Sequence, residues 1–249
     1  MRIAILSDIH GNLEALQSVL DHAKGVGYDR LVCLGDVVGY GANPQECVDT
    51  IRGIVSKDNG KELVVKGNHD DAASGGGDEY FNDQAQRAIR WTAEQLNGET
   101  LDWLRDLEMV FCFDPDYFLV HASPYQPENW HYVVNMGDAL SAFDSFEEQV
   151  AFIGHSHVPF FVSMENGDEH VQILQTEAVE MESGVRYLTN VGSVGQPRDG
   201  DPRACYVFLD LEQRKIERHR VDYDIDLASR KIIDAGLPEF LATRLHKGR

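Results

Sequence analysis

Polar side chains that can bind metal ions or transfer protons follow short apolar segments at five places in the chain. At four of these places a glycine or a serine comes directly before them. A single turn of this kind is typical of a solvated loop. Five of them indicate a shared site, because open α/β sheets collect ligands at the carboxyl ends of their strands. The residues concerned are Asp8 and His10, Asp36, Asn68 and His69, His121, and His155 and His157.

The chemistry that these residues suggest is that of divalent metal ions. Imidazole, carboxylate and amide donors without cysteine suit Mn²⁺, Fe²⁺, Zn²⁺, Ni²⁺ or Co²⁺. Even without His69, the seven remaining ligands are more than one ion normally uses, so we expect two ions that share a carboxylate. Two ions roughly 3.5–4 Å apart can hold a bridging hydroxide and bind the oxygens of a phosphoryl group during in-line displacement.

The elements that must position these residues begin with a β-α-β unit. Ile3 to Leu6 and Leu31 to Leu34 are apolar and are predicted to be buried strands. Between them, apolar residues recur at helical spacing over residues 13–23, with Asn12 as the N-cap and a glycine as the stop. A connection of this kind is right-handed with parallel strands by default, so both strand ends point to one edge of the sheet.

A helical insertion is predicted at about residues 71–107, beside the site. Gly75-Gly76-Gly77 is predicted to be a flexible joint, and Trp91 and Trp103 lie on two helices, where we favour a packing role. The other predicted elements are a helix from Asn43 to about Ser56, a strand over 62–66, helices over 84–96 and 100–107, a hairpin of strands 109–113 and 117–120, a short helix after 136, strands over 150–153, 158–164, 169–175, 184–190, 203–210 and 214–221, and helices over 224–235 and 238–246. We expect a single domain over residues 1–249.

Composition excludes several classes of protein. A hydrophobic content of 43% and a charged content of 26% are ordinary for a globular protein, and no apolar run is long enough to span a bilayer. The first apolar run is too short for a signal peptide, and the four scattered cysteines suit reduced thiols, so we expect a cytoplasmic protein. A net charge of −20 argues against stable binding to nucleic acid or to an anionic membrane, but not against a small anionic substrate beside bound metal ions. The oligomeric state stays open.

The order of the motifs resembles that of the calcineurin-like metallophosphoesterases. The resemblance covers nearly the whole chain and rests on Asp8-x-His10, Gly35-Asp36-x-x-Gly39, Gly67-Asn68-His69-Asp70, His121 and Gly154-His155-x-His157. The stretch from Asn190 to Arg203 is similar to that of the small bacterial phosphodiesterase-like branch. This resemblance implies an α/β (α+β) fold, a four-layer α/β/β/α sandwich of two mixed β-sheets flanked by helices.

The resemblance also implies a role for each polar strand end. One ion would be held by Asp8, His10 and His157, and the other by Asn68, His121 and His155. Asp36 would bridge the two ions. His69 would stabilise the transition state or protonate the leaving oxygen. Two interpretations of Asp70 stay open: it orients His69, or it is a carboxylate at the start of a helix.

Several further residues are assigned to the substrate or to the support of the ligands. Arg198, together with Asn68, is expected to contact the substrate, while for Arg203 we favour a pair with Asp199 or Asp201 over a contact with the substrate. Tyr80 and Phe81 either pack or line a substrate pocket. Asn190 and Ser193 either support the metal ligands or simply form turns.

The expected activity is metal-dependent hydrolysis of phosphodiesters or small nucleotides by a hydroxide that bridges two metals. The partner is then a small phosphate ester, and a diester is favoured over a monoester. Two alternatives are a non-catalytic metal-binding scaffold for protein partners and a protein phosphatase. Protein phosphatases of the family carry an arginine soon after the aspartate of the second motif. This chain has Val37-Val38-Gly39-Tyr40-Gly41 there, which removes one bidentate phosphate contact.

Overall fold

The computed structural model describes residues 1–55, 57–58, 60–79, 81–167 and 170–249. Two β-sheets form its centre, and helices cover their outer faces. This arrangement confirms the predicted sandwich of two mixed sheets flanked by helices. Among the described residues, no helix is both long and apolar enough to cross a membrane.

The first sheet has five strands and contains the opening of the chain. Strand β1 (Arg2–Leu6) runs parallel to β2 (Arg30–Cys33), as predicted, and antiparallel to β12 (Ala204–Asp210). Strands β13 (Lys215–Val221) and β10 (Ala178–Glu180) complete the order β10-β13-β12-β1-β2. The short strand β10 was not predicted.

The second sheet has six strands in the order β5-β6-β7-β11-β8-β9. Strands β6 and β11 both run parallel to β7, whereas the hairpin of β5 and β6 is antiparallel, as predicted. The bounds are β5 Val110–Phe113, β6 Tyr117–Val120, β7 Val150–Ile153, β8 Phe160–Glu165, β9 Gln172–Ile173 and β11 Val185–Asn190. A separate two-stranded hairpin consists of β3 (Lys57–Asp58) and β4 (Lys61–Glu62).

Eight α-helices complete the described part of the fold. Their bounds are α1 Leu13–Val26, α2 Pro44–Ile54, α3 Asn68–Asp71, α4 Asp83–Gln95, α5 Gly98–Arg105, α6 Met136–Phe143, α7 Ile225–Asp234 and α8 Glu239–Leu245. A 3-10 turn covers Pro127–Asn129. Asn12 caps α1 as predicted, because its side-chain oxygen accepts the N–H of Ala15.

Successive residues of a strand face opposite sides of the sheet, and this alternation divides the core into layers. In β7, Val150 and Phe152 belong to the main core shared by both sheets, while Ala151 and Ile153 face α6 on the outer side. Helices α7 and α8 pack together in a third apolar cluster that also includes Ala88 of α4. The C-terminal helices therefore lie against the predicted helical insertion.

Two predicted elements differ from the structure. The expected strand over residues 62–66 is not continuous, because Val64 and Val65 form single bridges to two different neighbours, Cys33 and Glu108. Part of the expected glycine joint is helical. Residues Ala72–Gly76 form a π-helical turn that continues directly from α3, with Gly75 in a left-handed conformation (φ 111°).

Candidate metal centre

The polar strand ends come together in two overlapping groups of possible metal ligands. Within each group, one ligand atom from every residue lies within 4.8 Å of the others, and all the side chains are buried. The groups are Asp8, His10, Asp36 and His157, and Asp36, His121 and His155. Asp36 belongs to both groups, which is the arrangement expected of a carboxylate shared by two ions.

The distances place Asp36 between the two groups. Its Oδ2 lies 3.5 Å from His10 Nε2 and 3.4 Å from His121 Nε2. In the first group, Asp8 Oδ1 lies 3.2 Å from His157 Nε2. In the second, the amide oxygen of Asn68 lies 3.2 Å from His121 Nε2, so the structure also brings this predicted ligand to the cluster.

Backbone carbonyls orient three of the histidines. The Nδ1 atoms of His10, His121 and His157 lie 3.2, 2.7 and 2.6 Å from the carbonyl oxygens of Val38, Leu34 and Gln196. A carbonyl can only accept, so each Nδ1 donates its hydrogen and each Nε2 faces the cluster. Such a contact fixes the tautomer and ring orientation that a metal ligand needs.

The donors fit divalent ions because several buried atoms have no partner within the described chain. The Nε2 atoms of His10 and His157 lie 3.0 Å apart, and because the hydrogen of each ring is on Nδ1, neither Nε2 can donate to the other. Asp8 Oδ1 and His155 Nε2 are buried without a hydrogen bond in the described residues. Buried polar groups normally find partners, and nitrogen and oxygen donors that converge in this way suit a metal ion.

Electrostatic interactions and burial favour ionised carboxylates at Asp8 and Asp36 and neutral rings at His10 and His155. Burial alone would raise the pKa of Asp8 and of Asp36, but the attraction of the surrounding histidines outweighs it and holds both pKa values below the usual range. Burial lowers the pKa of His10 and lowers that of His155 to about 3. For His121, attraction to Asp36 and Asp8 outweighs burial and raises the pKa to about 9. A divalent ion can replace that positive charge.

The backbone of the cluster is strained. Asp8, His10, Asp36, His155 and His157 all have φ values between 49° and 64°, in the left-handed region. Residues other than glycine rarely adopt this conformation, and each costs about 1–3 kcal/mol. The surrounding fold must hold these residues in place, and the strain aims successive side chains at one point.

Two glycines of the motifs are needed because carboxylates pass close to them. A methyl group on Gly67 would overlap the Asp36 carboxylate, and one on Gly154 would overlap Ser7 and the Asp8 carboxylate. The same turns hold those carboxylates, since the N–H groups of His69 and His155 donate to Asp36 Oδ1 and Asp8 Oδ2 at 2.8 and 3.0 Å. The lack of room for a side chain therefore explains the glycines at positions 67 and 154.

Asn190 and Ser193 contact the loops that carry ligands. Ser193 Oγ donates to the backbone oxygen of Asp8 at 2.8 Å and accepts the N–H of Gln196. Asn190 Nδ2 donates to the carbonyl of Gly154 at 2.6 Å. Both side chains are buried. These contacts fit the predicted supporting role.

The hydrogen bonds of the Asp70 carboxylate go to backbone N–H groups and not to the ring of His69. Its carboxylate accepts the N–H groups of Gly67 and Val38 at 3.1 and 3.2 Å. Within the described chain, His69 Nδ1 has no hydrogen-bond partner. These contacts correspond to the helix-start interpretation of Asp70 and not to its orientation of His69.

A cavity of about 330 Å³ opens beside the cluster. Asp36, Asn68, His69, His155 and His157 line its floor, and Phe81 packs edge-on against the His69 ring at 4.8 Å. Tyr80, the other predicted pocket residue, lies outside the described residues. Burial lowers the pKa of His69 to about 4.

Arg198 lines the same cavity, whereas Arg203 does not belong to its lining. Arg203 pairs with Asp201 at 2.6 Å, which matches the alternative interpretation of that residue. Arg198 Nη2 donates to Gln196 Oε1 at 2.9 Å, and its buried Nε has no partner within the described chain.

Five further side chains line the cavity that the sequence did not assign to it: Tyr40, Asn82, Tyr132, Phe240 and Arg244. Tyr132 stacks on His155, with ring centroids 4.1 Å apart. Tyr40 directly follows the Gly39 of the second motif, and this position could have indicated that its side chain lies near the site. The sequence offers no comparable signal for Phe240 and Arg244, which lie nearly ninety residues beyond the last ligand.

Comparison with known proteins agrees with this site. Residues 1–214 match the calcineurin-like phosphoesterase superfamily domain. An uncharacterized protein of Methanocaldococcus jannaschii is 40% identical over 99% of this chain and 98% of its own length. The crystal structure of a metallophosphoesterase from Sphaerobacter thermophilus has a TM-score of 0.86 and 39% identity, covering 100% of this chain and 99% of that one. The phosphodiesterase YfcE of Escherichia coli is 25% identical over 84% of this chain and 88% of its own length.

The chain therefore belongs to the calcineurin-like phosphoesterase superfamily. The family and the buried cluster of aspartates and histidines together support a hydrolytic enzyme with a divalent metal site.

Proposed function

We propose that the protein is a phosphodiesterase that uses two divalent metal ions. The observation that carries this proposal is the position of Asp36, whose Oδ2 lies within 3.5 Å of a histidine from each ligand group. The phosphodiesterase YfcE, to which the chain is similar, supports a diester substrate. Bound ions of the Mn, Fe, Zn, Ni or Co type would supply an activated nucleophile and neutralise charge on the phosphate.

The ligand sets follow the two groups of the cluster. Asp8, His10 and His157 would hold one ion, and Asn68, His121 and His155 the other, with Asp36 shared. The backbone hydrogen bonds to His10 and His157 fix their tautomers before any ion binds, and the bond to Leu34 orients the ring of His121, which must lose a proton when the ion binds. The site is therefore preorganised, and little ordering of side chains would accompany metal binding.

His69 is proposed to transfer a proton to the leaving oxygen or to stabilise its charge. Its ring lies in the cavity with Nδ1 unpaired in the described chain, while its backbone N–H donates to Asp36. Arg198 is proposed to bind the phosphate oxygens, because its side chain lines the cavity and its Nε has no protein partner in that part of the chain. Asn68 is proposed to serve both metal and substrate, because it lines the cavity and its amide oxygen lies beside His121.

The test is a substrate panel with metal-loaded protein. We expect hydrolysis of bis-p-nitrophenyl phosphate to exceed that of p-nitrophenyl phosphate, cyclic nucleotides and a phosphopeptide, with metal content near two ions per chain. Full metal occupancy without hydrolysis of any substrate would overturn the enzyme proposal in favour of a metal-binding scaffold. Preference for the phosphopeptide would favour a protein phosphatase.

A variant separates the role of His69 from metal binding. His69→Asn should keep both ions but lower turnover by about 10²–10⁴-fold, the usual contribution of a general acid or base. His131→Asn is the control, because His131 is an exposed histidine outside the ligand groups. Unchanged turnover in His69→Asn would remove this residue from the mechanism.

A further inference from the structure

A second cavity, of about 340 Å³, is lined by residues of the loop that carries His155 and His157. Ser156 lies between these two proposed ligands in the sequence and lines the second cavity, whereas both histidines line the cavity at the metal cluster. Val158, the residue after His157, also lines the second cavity. Because consecutive Cα atoms are only about 3.8 Å apart, a single segment of backbone separates the two cavities here.

Tyr132 and Val133 repeat this arrangement on the segment that packs against the same loop. Tyr132 lines the cavity at the metal cluster, and Val133 lines the second cavity. The ring of Tyr132 stacks on His155 with centroids 4.1 Å apart, and 50% of the residue is exposed, so it lies at the rim between the two cavities. The two cavities therefore adjoin at two places, close enough for one ligand to occupy both.

The described lining of the second cavity is apolar. Although 26% of the chain is charged, no charged side chain is among the described residues that line this cavity. Its two polar side chains are already paired. Asn135 accepts the N–H groups of Gly137 and Asp138 at the start of α6, and Ser156 Oγ accepts from Asn190 Nδ2 at 3.0 Å. A ligand would therefore meet mainly hydrocarbon, which suits an apolar group and not a charged one.

The second cavity has a buried floor and an exposed apolar rim. Ala139 and Val162 line it and are buried, whereas Val134 and Met136 line it and are exposed, Val134 by 70%. Single exposed apolar side chains are common, but several around one concavity mark a binding site. The volume lies within the range of small-molecule sites, about 300–1,000 Å³, which favours part of a small ligand as the occupant.

We propose that the second cavity binds a hydrocarbon ester group of the substrate while the phosphate lies at the metal cluster. The substrate class is a phosphodiester in which the ester group that stays on the phosphate carries an apolar chain. The side chains around this cavity, Val134, Met136 and Ala139 among them, then determine specificity for that chain. This inference rests on the proposed function for the phosphate that is cleaved.

The test uses alkyl p-nitrophenyl phosphates with metal-loaded protein. The methyl, butyl and hexyl esters release the same p-nitrophenol, so they differ only in the group that would enter the second cavity. In the wild-type protein, kcat/KM should rise by about two- to fourfold for each added CH₂ group, the usual effect of removing such a group from water. The rise should appear as a fall in KM at nearly constant kcat, because the chain binds equally well in the ground state and in the transition state.

Two variants alter the second cavity without replacing a proposed metal ligand. Val134→Thr combined with Met136→Gln makes the rim polar at nearly unchanged volume, and Ala139→Leu fills space inside the cavity. Both should retain metal but lose most of the advantage of the hexyl ester over the methyl ester. Ile233→Thr is the matched control, because Ile233 is an exposed residue of α7 outside the described lining, and this variant should keep the full dependence on chain length.

Calorimetry with metal-loaded protein separates this inference from the proposed function. Hexyl phosphate should bind more tightly than methyl phosphate, and the two variants should lose most of that difference. If no diester is cleaved but this difference is found, the proposed function fails and the apolar subsite stands. If chain length changes neither KM nor binding in the wild type, or both variants keep the full dependence, the inference is overturned. A wild-type dimer that Val134→Thr with Met136→Gln dissociates, without any effect of chain length, would also overturn it and assign the cavity to contact between two copies.

Discussion

Replacing Asp36 by asparagine is the sharpest test of a shared carboxylate. The structure predicts how the new side chain would sit. Asp36 Oδ1 accepts the N–H of His69 at 2.8 Å, and an asparagine oxygen can keep that bond. The amide nitrogen would then occupy the Oδ2 position that faces both His10 and His121. Because an amide NH₂ donates hydrogen and cannot bind a cation, both ligand groups would lose the same donor while the loop keeps its anchor.

The size of the effect follows from the position of that single oxygen. Outer partners that only orient metal ligands are worth about 10–100-fold in affinity. Loss of a charged ligand should weaken metal affinity by at least the upper value of this range, which is about 100-fold or ~2.7 kcal/mol for each ion. The expected result is parallel weakening of both ions.

The assay is equilibrium dialysis against Mn²⁺ with metal content per chain as the readout. Electron paramagnetic resonance adds a second readout, since two neighbouring Mn²⁺ ions give a coupled signal and isolated ions do not. Asp8→Asn is the matched control. Asp8 Oδ1 lies nearest to His157, so this variant should weaken chiefly one ion and leave an isolated signal.

One outcome would refute the reasoning. If Asp36→Asn loses one ion and binds the other with wild-type affinity, Asp36 belongs to a single ligand set. The closeness of Oδ2 to both histidines would then reflect packing alone.

Three other predictions concern residues around the cluster. Asp70→Asn should retain metal content and nearly all turnover, because the Asp70 carboxylate contacts the N–H groups of Val38 and Gly67 and not the His69 ring; a large fall in turnover at unchanged metal content would instead restore its catalytic role. Gly154→Ala should destabilise the metal-free protein by about 1–3 kcal/mol in denaturant unfolding and weaken metal binding, since the added methyl group overlaps Asp8. Wild-type stability and metal affinity would show that this position has room for a methyl group. Burial lowers the pKa of His219 below its unfolded value of 6.5, so stability should fall as pH drops below 6.5. His219→Phe, which keeps a ring against Tyr206, should reduce that loss, and an unchanged pH dependence would count against it.

The pattern of apolar residues along the chain predicted the strands and helices that depend only on burial and on the spacing of those residues. The strands around β1 and β2 are continuous apolar runs, and the helix between them has a clear stripe and cap. The segment Leu63 to Val65 is just as apolar and just as buried. It nevertheless forms only single bridges to two neighbours, because pairing depends on which backbone lies alongside and not on the segment itself.

The same limit applies to the site. The convergence of the proposed ligands was predictable because possible metal donors at strand ends are unusual in type and are forced to one edge of the sheets. The helix over 238–246 was also predicted, and the structure has it at Glu239–Leu245. Its periodicity, however, indicates only that one side packs. That Phe240 and Arg244 reach the cavity depends on the packing of α7 and α8 against the helical insertion, which no local pattern records.

The two walls of the cavity are built by different means, and this has a consequence for function. The cluster is held by the backbone: carbonyls orient its histidines, N–H groups hold its carboxylates, and left-handed residues aim its side chains. The buried side chains of Asn190 and Ser193 also hold its loops, so substitutions near the cluster disturb the positions of its ligands. The opposite wall consists of side chains from a short helix, where one substitution changes charge or shape without touching a ligand. A change of substrate is therefore physically easier to make at α8 than at the metal cluster.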